Sequence, residues 1–156
     1  MHLSSTSQPP EPHPAWLGLI QVWSTLNAAI EAQLQSQWGL SHVEFEVLLR
    51  LDHSRRPLRV QDLSSRSLLS RSGTSRAVSR LALAGLVATE GVPEDGRGTA
   101  VALTNRGRAL FAAVAPAHMA LVDERFLSRF TAEELELLAR FWKRVLTDQT
   151  VTGNLH

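Results

Sequence analysis

The hydrophobic pattern of this 156-residue chain changes its period at Gly85. Before this glycine, apolar residues recur at every third or fourth position, which is typical of helices. After it, residues 86–90 have the pattern of one strand, and Thr99, Val101 and Leu103 alternate with alanines in a second. The segment between them, GVPEDGRG, is rich in turn formers. It therefore predicts that the two strands form a hairpin.

Two short helices are predicted immediately before Gly85. The first covers residues 61–68 and the second covers residues 71–84, with a tight turn at Leu69 and Ser70 between them. Ser70 suits the N-cap of the second helix, because its hydroxyl can accept a hydrogen bond from a free backbone N–H. The side chains expected on the buried face of the second helix are Ala77, Val78, Leu81 and Ala84. Two short helices followed by a hairpin make a winged helix-turn-helix.

Four further helices are predicted around this motif. A capping box at Ser41 and Glu44 starts a helix that runs to about Asp52, before a short strand at residues 58–60. A first helix is predicted before the capping box at Ser41. Its apolar stripe is Trp16, Leu19, Ile20, Trp23, Leu26, Ile30 and Leu34. Thr104 caps a long helix toward Phe126, which Pro116 is expected to kink. A second capping box, at Thr131 and Glu134, starts the last helix, whose apolar face is Leu135, Leu138, Trp142 and Val145.

The predicted fold class is mainly α with a small β-hairpin, in the order α-α-β-α-α-β-β-α-α. A winged helix-turn-helix lobe covers residues 41–103, and a helical dimerisation region combines residues 15–40 and 104–147. Residues 1–14 are expected to be a flexible arm and residues 148–156 a flexible tail. The first and last helices carry apolar faces, with three of the four tryptophans, that a small lobe cannot cover. An intramolecular helical pack in a monomer is the alternative.

The positive charge of the chain is concentrated in one stretch. Residues 50–80 contain eight arginines against two aspartates, although the whole chain has a net charge of only +1. Residues 1–49 contain four glutamates and no lysine or arginine. This distribution predicts a binding site for a polyanion, with an ordinary solvated face as the alternative.

Composition excludes several classes of function. The chain has no cysteine, which excludes disulfides, a thiol-oxidation switch and cysteine-ligated zinc. Its N-terminus is polar and proline-rich, and no apolar stretch is long enough to span a bilayer. We therefore expect a cytoplasmic protein with no membrane partner. No glycine-rich phosphate loop, GxSxG or HExxH motif is present, so we expect neither an enzyme nor a cofactor or metal.

Three strings of residues carry a resemblance to a known family. They are residues 63–87 (LSSRSLLSRSGTSRAVSRLALAGLV), residues 95–97 (DGR) and residues 103–108 (LTNRGR). Their joint spacing resembles the MarR family of bacterial transcription regulators, and the resemblance covers about residues 15–146. Thr89 and Gly96 depart from it by replacing frequent arginines. Gly73 lies inside the second helix of the motif and should loosen it by roughly 1 kcal/mol relative to alanine.

The resemblance implies a homodimer that regulates transcription, as a repressor in the simplest case. The first and last two helices would interlock around a two-fold axis and hold two winged lobes. Such a dimer would bind double-stranded DNA at a pseudo-palindromic operator with half-sites about 10 bp apart. A winged helix that only contacts proteins is the rival hypothesis.

The residues predicted to contact DNA lie on the second helix of the motif and on the wing. They are Ser70, Arg71, Ser72, Thr74, Ser75, Arg76, Arg80, Asp95 and Arg97. Arg71 and Arg76 can donate two hydrogen bonds each to guanine, Arg97 suits the minor groove, and Asp95 would orient Arg97. The arginines predicted to contact phosphates are Arg55, Arg56, Arg59 and Arg66.

The resemblance also implies an effector, a small aromatic acid that binds between the dimer base and the lobe and releases DNA. The candidate residues are Trp16, Trp23, His42, Phe45 and His118. The alternative is that these aromatic side chains are simply core. His42 and His118 are similar to the ligands of a zinc-sensing branch. However, the chain has no HxxxH or HxH clamp, so no metal site is predicted and a zinc-responsive regulator stays an alternative.

Overall fold

The order of elements in the structure, a computed structural model, matches the predicted order. Residues 13–65, 70–91 and 98–152 are described. The elements are α1 (Pro14–Trp38), α2 (His42–Ser54), β1 (Leu58–Arg59), α3 (Val60–Ser65), α4 (Arg71–Leu83), β2 (Val87–Gly91), β3 (Thr99–Leu103), α5 (Asn105–Arg125), a 3₁₀ turn (Leu127–Arg129) and α6 (Ala132–Thr152). The predicted fold class, mainly helical with a small antiparallel sheet, is confirmed.

The sheet contains the predicted hairpin and one pairing that the sequence did not indicate. Strands β2 and β3 pair antiparallel, with Val87 opposite Leu103. Strand β1 pairs with the other side of β3, with Leu58 opposite Val101, so the strand order is β1-β3-β2. Val60 begins α3 instead of ending β1. The short strand therefore joins the start of the helix-turn-helix to the base of the wing.

Side-chain caps start the helices where the sequence predicted them. The Ser41 hydroxyl accepts from the Glu44 N–H at 3.2 Å, and the Glu44 carboxylate accepts from the Ser41 N–H at 2.8 Å. Thr131 and Glu134 form the same reciprocal box at the start of α6. The Thr104 hydroxyl caps α5 by accepting from the Gly107 N–H at 3.0 Å. Each cap satisfies backbone donors that the first turn of a helix leaves free.

Helix α4 ends at Gly85 in the predicted manner. Gly85 has a φ of 69°, a left-handed conformation that glycine adopts without steric cost. The Leu86 N–H donates to the Leu81 carbonyl and the Gly85 N–H donates to the Ala82 carbonyl, each at 2.9 Å. This Schellman arrangement turns the chain from α4 into β2.

One hydrophobic core joins the lobe to the long helices. Phe45, Leu48 and Leu51 of α2 are buried together with Leu81 of α4 and Val101 of β3. The core continues into α1 and α5 through Ile30, Leu34, Phe111 and Val114. The Phe45 and Phe111 rings stack with their centroids 5.8 Å apart. The lobe is thus held rigidly to the C-terminal half of α1 and to α5.

The structure corrects three details of the predicted elements. Ala84 is exposed, and Thr74 occupies the buried face of α4 in its place. Helix α6 continues to Thr152. Residues 148–152 are therefore helical and do not belong to the predicted tail. The sequence predicts Pro14 to lie in the arm, but it is the first residue of α1, where its missing N–H costs no helical hydrogen bond. Residues 1–12 and 153–156 lie outside the described residues.

Apolar side chains stay exposed along α1 and α6. Helix α1 buries Ile30 and Leu34. The exposed large apolar side chains of the two helices are Trp16, Leu17, Leu19, Ile20, Val22, Trp23, Leu137, Phe141, Trp142, Val145 and Leu146. No side chain of α6 that the structure describes is buried. Within the described ranges, no helix combines the length and apolarity that a membrane span requires.

Candidate nucleic-acid interface

Helix α4 presents a continuous polar stripe on the surface of the lobe. Ser72, Ser75, Arg76 and Ser79 recur at the helical three-to-four spacing and are all exposed. Arg76 stands in the middle of this stripe, and Arg71 lies at its edge in the first turn. No hydrogen bond or ion pair joins either arginine to another residue within the described ranges. Both guanidinium groups therefore remain available to a ligand.

Ser70 serves first as the N-cap of α4. Its hydroxyl accepts from the Gly73 N–H at 3.1 Å and lies 3.2 Å from the Ser72 hydroxyl. Because this cap fixes the first turn, it also fixes the direction in which Arg71 and Ser72 leave the helix. Ser70 is exposed, and it remains a predicted DNA contact.

The prediction that Thr74 contacts DNA is wrong. Thr74 is fully buried, at 0% exposure, and its hydroxyl donates to the Ser70 carbonyl at 3.3 Å. Its position three and four residues before Ala77 and Val78 places it on the core face of α4. Residue type alone suggested a short polar donor, whereas the helical phase decides that it faces inward.

A cleft of about 450 Å³ lies between the start of α4 and the base of the wing. Arg59 of β1 and Arg71 of α4 line it together with Gly98 and Thr99. The structure therefore brings together a predicted phosphate contact and a predicted base contact from distant parts of the sequence. Two guanidinium groups beside one cleft suit the negative charge of a DNA backbone.

A second cationic cleft, of about 370 Å³, lies at the opposite end of β1. Arg55 and Arg56 line it, as does Arg108 of α5, with Asp52 as the acidic member. Arg55 ends α2 with a φ of 54°. Arg108 was not predicted as a contact, although it is the last residue of the LTNRGR string. The cleft itself shows that Arg108 lies beside the other two arginines, which are about fifty positions away in the sequence.

Arg80 is tied to α2. Its Nε donates to Glu44 Oε1 at 2.8 Å, and Glu44 itself is buried at 7% exposure. The other Glu44 oxygen accepts from the N–H and the hydroxyl of Ser41. The sequence predicted Arg80 as a DNA contact and Glu44 as a cap, but it did not indicate that one carboxylate serves both helices. Three further predicted DNA contacts, Arg66, Asp95 and Arg97, lie outside the described residues.

Four of the five predicted effector residues lie close together at the junction of α1, α2 and α5. The His118 ring centroid is 4.4 Å from that of Phe45 and 6.3 Å from that of His42, and the Trp23 centroid is 6.3 Å from that of His42. Phe45 is fully packed, at 1% exposure, as the core alternative predicted. Trp16 is two turns before Trp23 and highly exposed, and it makes no ring contact with these four residues.

The two histidines of this cluster differ in their partners. His42 Nδ1 lies 2.7 Å from Asn27 Oδ1, and the backbone N–H of His42 donates to the Glu31 carboxylate at 2.7 Å. His118 Nδ1 is buried without a hydrogen-bond partner among the residues that the structure describes. Burial, and then the proximity of His42, lower the pKa of His118. No group of three or more metal-ligating side chains occurs within the described ranges.

Comparison with known proteins places these features in one family. The family model that matches the chain describes the MarR family and covers residues 38–98, from the end of α1 to the start of β3. No curated protein matches the chain at a significant level.

Solved structures extend the similarity over the length of the chain. The chain is 30% identical to Sco3205, a MarR family transcriptional regulator from Streptomyces coelicolor in complex with DNA, with a TM-score of 0.81 over 90% of this chain and 91% of that chain. It is also 30% identical to AbsC, a MarR family transcriptional regulator from the same organism, with a TM-score of 0.79 over 87% and 92%. BpsR from Bordetella bronchiseptica, whose DNA binding is regulated by 6-hydroxynicotinic acid, is 20% identical with a TM-score of 0.74 over 85% and 98%, which shows the fold alone.

Proposed function

Since the chain belongs to the MarR family of DNA-binding transcriptional regulators, we propose that it represses transcription by binding a pseudo-palindromic operator as a homodimer. The observation that carries this proposal is the exposed polar stripe of α4, with Arg76 at its centre and no competing partner among the described residues. In this arrangement the lobe of residues 41–103 contacts DNA, and residues 15–40 and 104–147 form the dimer.

The stripe on α4 enters the major groove. Arg76 donates to guanine O6 and N7, a pair worth roughly 1–3 kcal/mol of discrimination against other bases. Ser72 and Ser75 flank it as short donors. Arg71 lies beside Arg59 in the same cleft. In this position it contacts either a base edge or a phosphate of the bound DNA.

Phosphate contacts fix the register of the lobe on the duplex. Arg59 acts from the cleft beside α4, while Arg55, Arg56 and Arg108 act from the cleft at the other end of β1. Arg66 completes the proposed phosphate contacts, whereas Arg97 enters the minor groove and Asp95 orients it. The phosphate contacts carry little sequence information, and they make affinity fall steeply as salt rises.

The ring cluster at His42 and His118 is the proposed effector site. A buried ring nitrogen without a partner is costly, and a ligand carrying a hydrogen-bonding group would satisfy it. The cluster joins α1 and α5, which belong to the proposed dimer base, to α2 of the lobe. A small aromatic acid bound there would therefore shift one lobe relative to the other and release DNA.

Selection of DNA sites from a random pool with purified protein tests the proposal. We expect a pseudo-palindrome with half-sites about 10 bp apart. On the selected site, Arg76→Ala should weaken binding about 10-fold or more and relax the preference at one position, as expected for a lost guanine contact. Arg125→Ala, which removes an exposed arginine at the far end of α5, should bind like wild type. Recovery of no site, or equal binding by both variants, would refute the proposal and favour a protein-interaction module.

A further inference from the structure

A groove of about 650 Å³ lies between the end of α1, the end of α4 and the start of α5. Its apolar lining includes Trp38, Leu40 and Leu110, and its charged lining is Glu44, Arg80 and Arg106. We call it the α1–α4–α5 groove. It is separate from the two cationic clefts, and it lies at the opposite end of α1 from Trp16 and Trp23.

The charges of this groove do not balance. Arg80 donates to Glu44 at 2.8 Å, so these two charges neutralise each other. Arg106 is exposed, and no ion pair or hydrogen bond joins it to another residue in the described part of the chain. One uncompensated guanidinium therefore stands beside an apolar floor.

We propose that the α1–α4–α5 groove binds a small amphipathic anion, an aromatic carboxylate or sulfonate with one or two rings. The acid group pairs with Arg106, and the rings pack on Trp38, Leu40 and Leu110. A DNA backbone suits this site less well than the two cationic clefts, because one of the two arginines that line the groove, Arg80, is already paired with Glu44. The proposed site goes beyond the effector cluster at His42 and His118, because it lies near the other end of α5 and uses none of the same residues.

Fluorescence titration with 8-anilinonaphthalene-1-sulfonate tests the site directly, since this probe combines two aromatic groups with one negative charge. The neutral analogue N-phenyl-1-naphthylamine reports the apolar floor alone. Arg106→Gln should weaken the anionic probe at least fivefold and leave the neutral probe within twofold of wild type. Ala109→Leu narrows the groove from α5 and should weaken both probes.

The control is Arg140→Gln. Arg140 is also an exposed arginine, but it lies on α6, outside this groove and outside both cationic clefts. This variant should bind both probes like wild type. If Arg106→Gln and Ala109→Leu bind the anionic probe as tightly as wild type, the probe sits on the exposed faces of α1 or α6 and the proposal is wrong. The titration contains no DNA, so its failure leaves the proposed operator binding untouched.

Discussion

Gly107 shows how a single residue can be required by packing. Gly107 lies in the first turn of α5. It lies directly against the backbone carbonyl of Leu86, which is in the turn between α4 and β2. A Cβ at this position would clash with that carbonyl, and backbone cannot move aside as the end of a side chain can. The Thr104 hydroxyl approaches the same turn, 2.8 Å from the Gly85 carbonyl. This contact joins the end of β3, the turn after α4 and the start of α5 at one point.

Gly107→Ala is therefore expected to lower the free energy of unfolding by about 3 kcal/mol, the upper end of the usual cost of overpacking. Urea denaturation followed by circular dichroism measures the change. Gly18→Ala is the control, because nothing lies within 4 Å of a Cβ built there in α1. That variant should be neutral or more stable by up to about 1 kcal/mol, since alanine is the better helix former. Equal stability of the two variants would contradict the proposed clash.

At the scale of elements, the predictions succeeded where the physical cause is local. The caps at Ser41, Thr104 and Thr131 and the glycine after α4 act within one turn of their own backbone, so a short string of residues reveals them. The pairing of β1 with β3 joins residues about forty positions apart, and no local pattern specifies it. The same is true of the ion pair between Glu44 and Arg80. The sequence predicted the strands and helices that contain these residues, but it did not predict the contacts between them.

The Glu44–Arg80 pair leads to a prediction about how α4 is oriented. Glu44→Gln keeps an N3 side chain that can complete the capping box, but it loses the charge that holds Arg80. If the pair positions α4, this variant should weaken operator binding about 3- to 10-fold. The cost in folding stability should be no more than about 1 kcal/mol, because the Arg80 side chain is 61% exposed. Fluorescence anisotropy on the selected operator and urea denaturation measure the two effects.

The competing hypothesis makes the opposite prediction. If Arg80 itself contacts a phosphate, Glu44→Gln would free a cation and remove a negative charge, so DNA would bind more tightly. Arg80→Gln and the double variant complete a cycle that separates the two cases. A positioning role requires that the double variant bind DNA no worse than either single variant, within about twofold.

At the scale of the whole molecule, the distribution of exposed apolar side chains is unusual for a monomer. The N-terminal half of α1 and most of α6 expose tryptophan, phenylalanine and leucine side chains together. Helix α6 buries none of the side chains that the structure describes, although its apolar residues recur at a helical period. The core of the lobe, by contrast, is closed around Phe45 and Leu48. Faces of this kind usually belong to an interface, and the proposed homodimer provides one.

Leu146→Glu tests this arrangement as a whole. Leu146 lies on α6, four residues after Trp142 and 62% exposed, and its burial in a dimer would contribute roughly 1.5–3 kcal/mol. A glutamate there should raise the dimer dissociation constant at least 10-fold in sedimentation equilibrium. Operator affinity should fall with it, because two linked lobes bind two half-sites more tightly than separate lobes do. Leu83→Glu is the matched control, since Leu83 is 90% exposed on α4 and outside both apolar faces. A wild-type monomer, or the same dissociation constant for both variants, would show that α1 and α6 are not covered by a second copy of the chain.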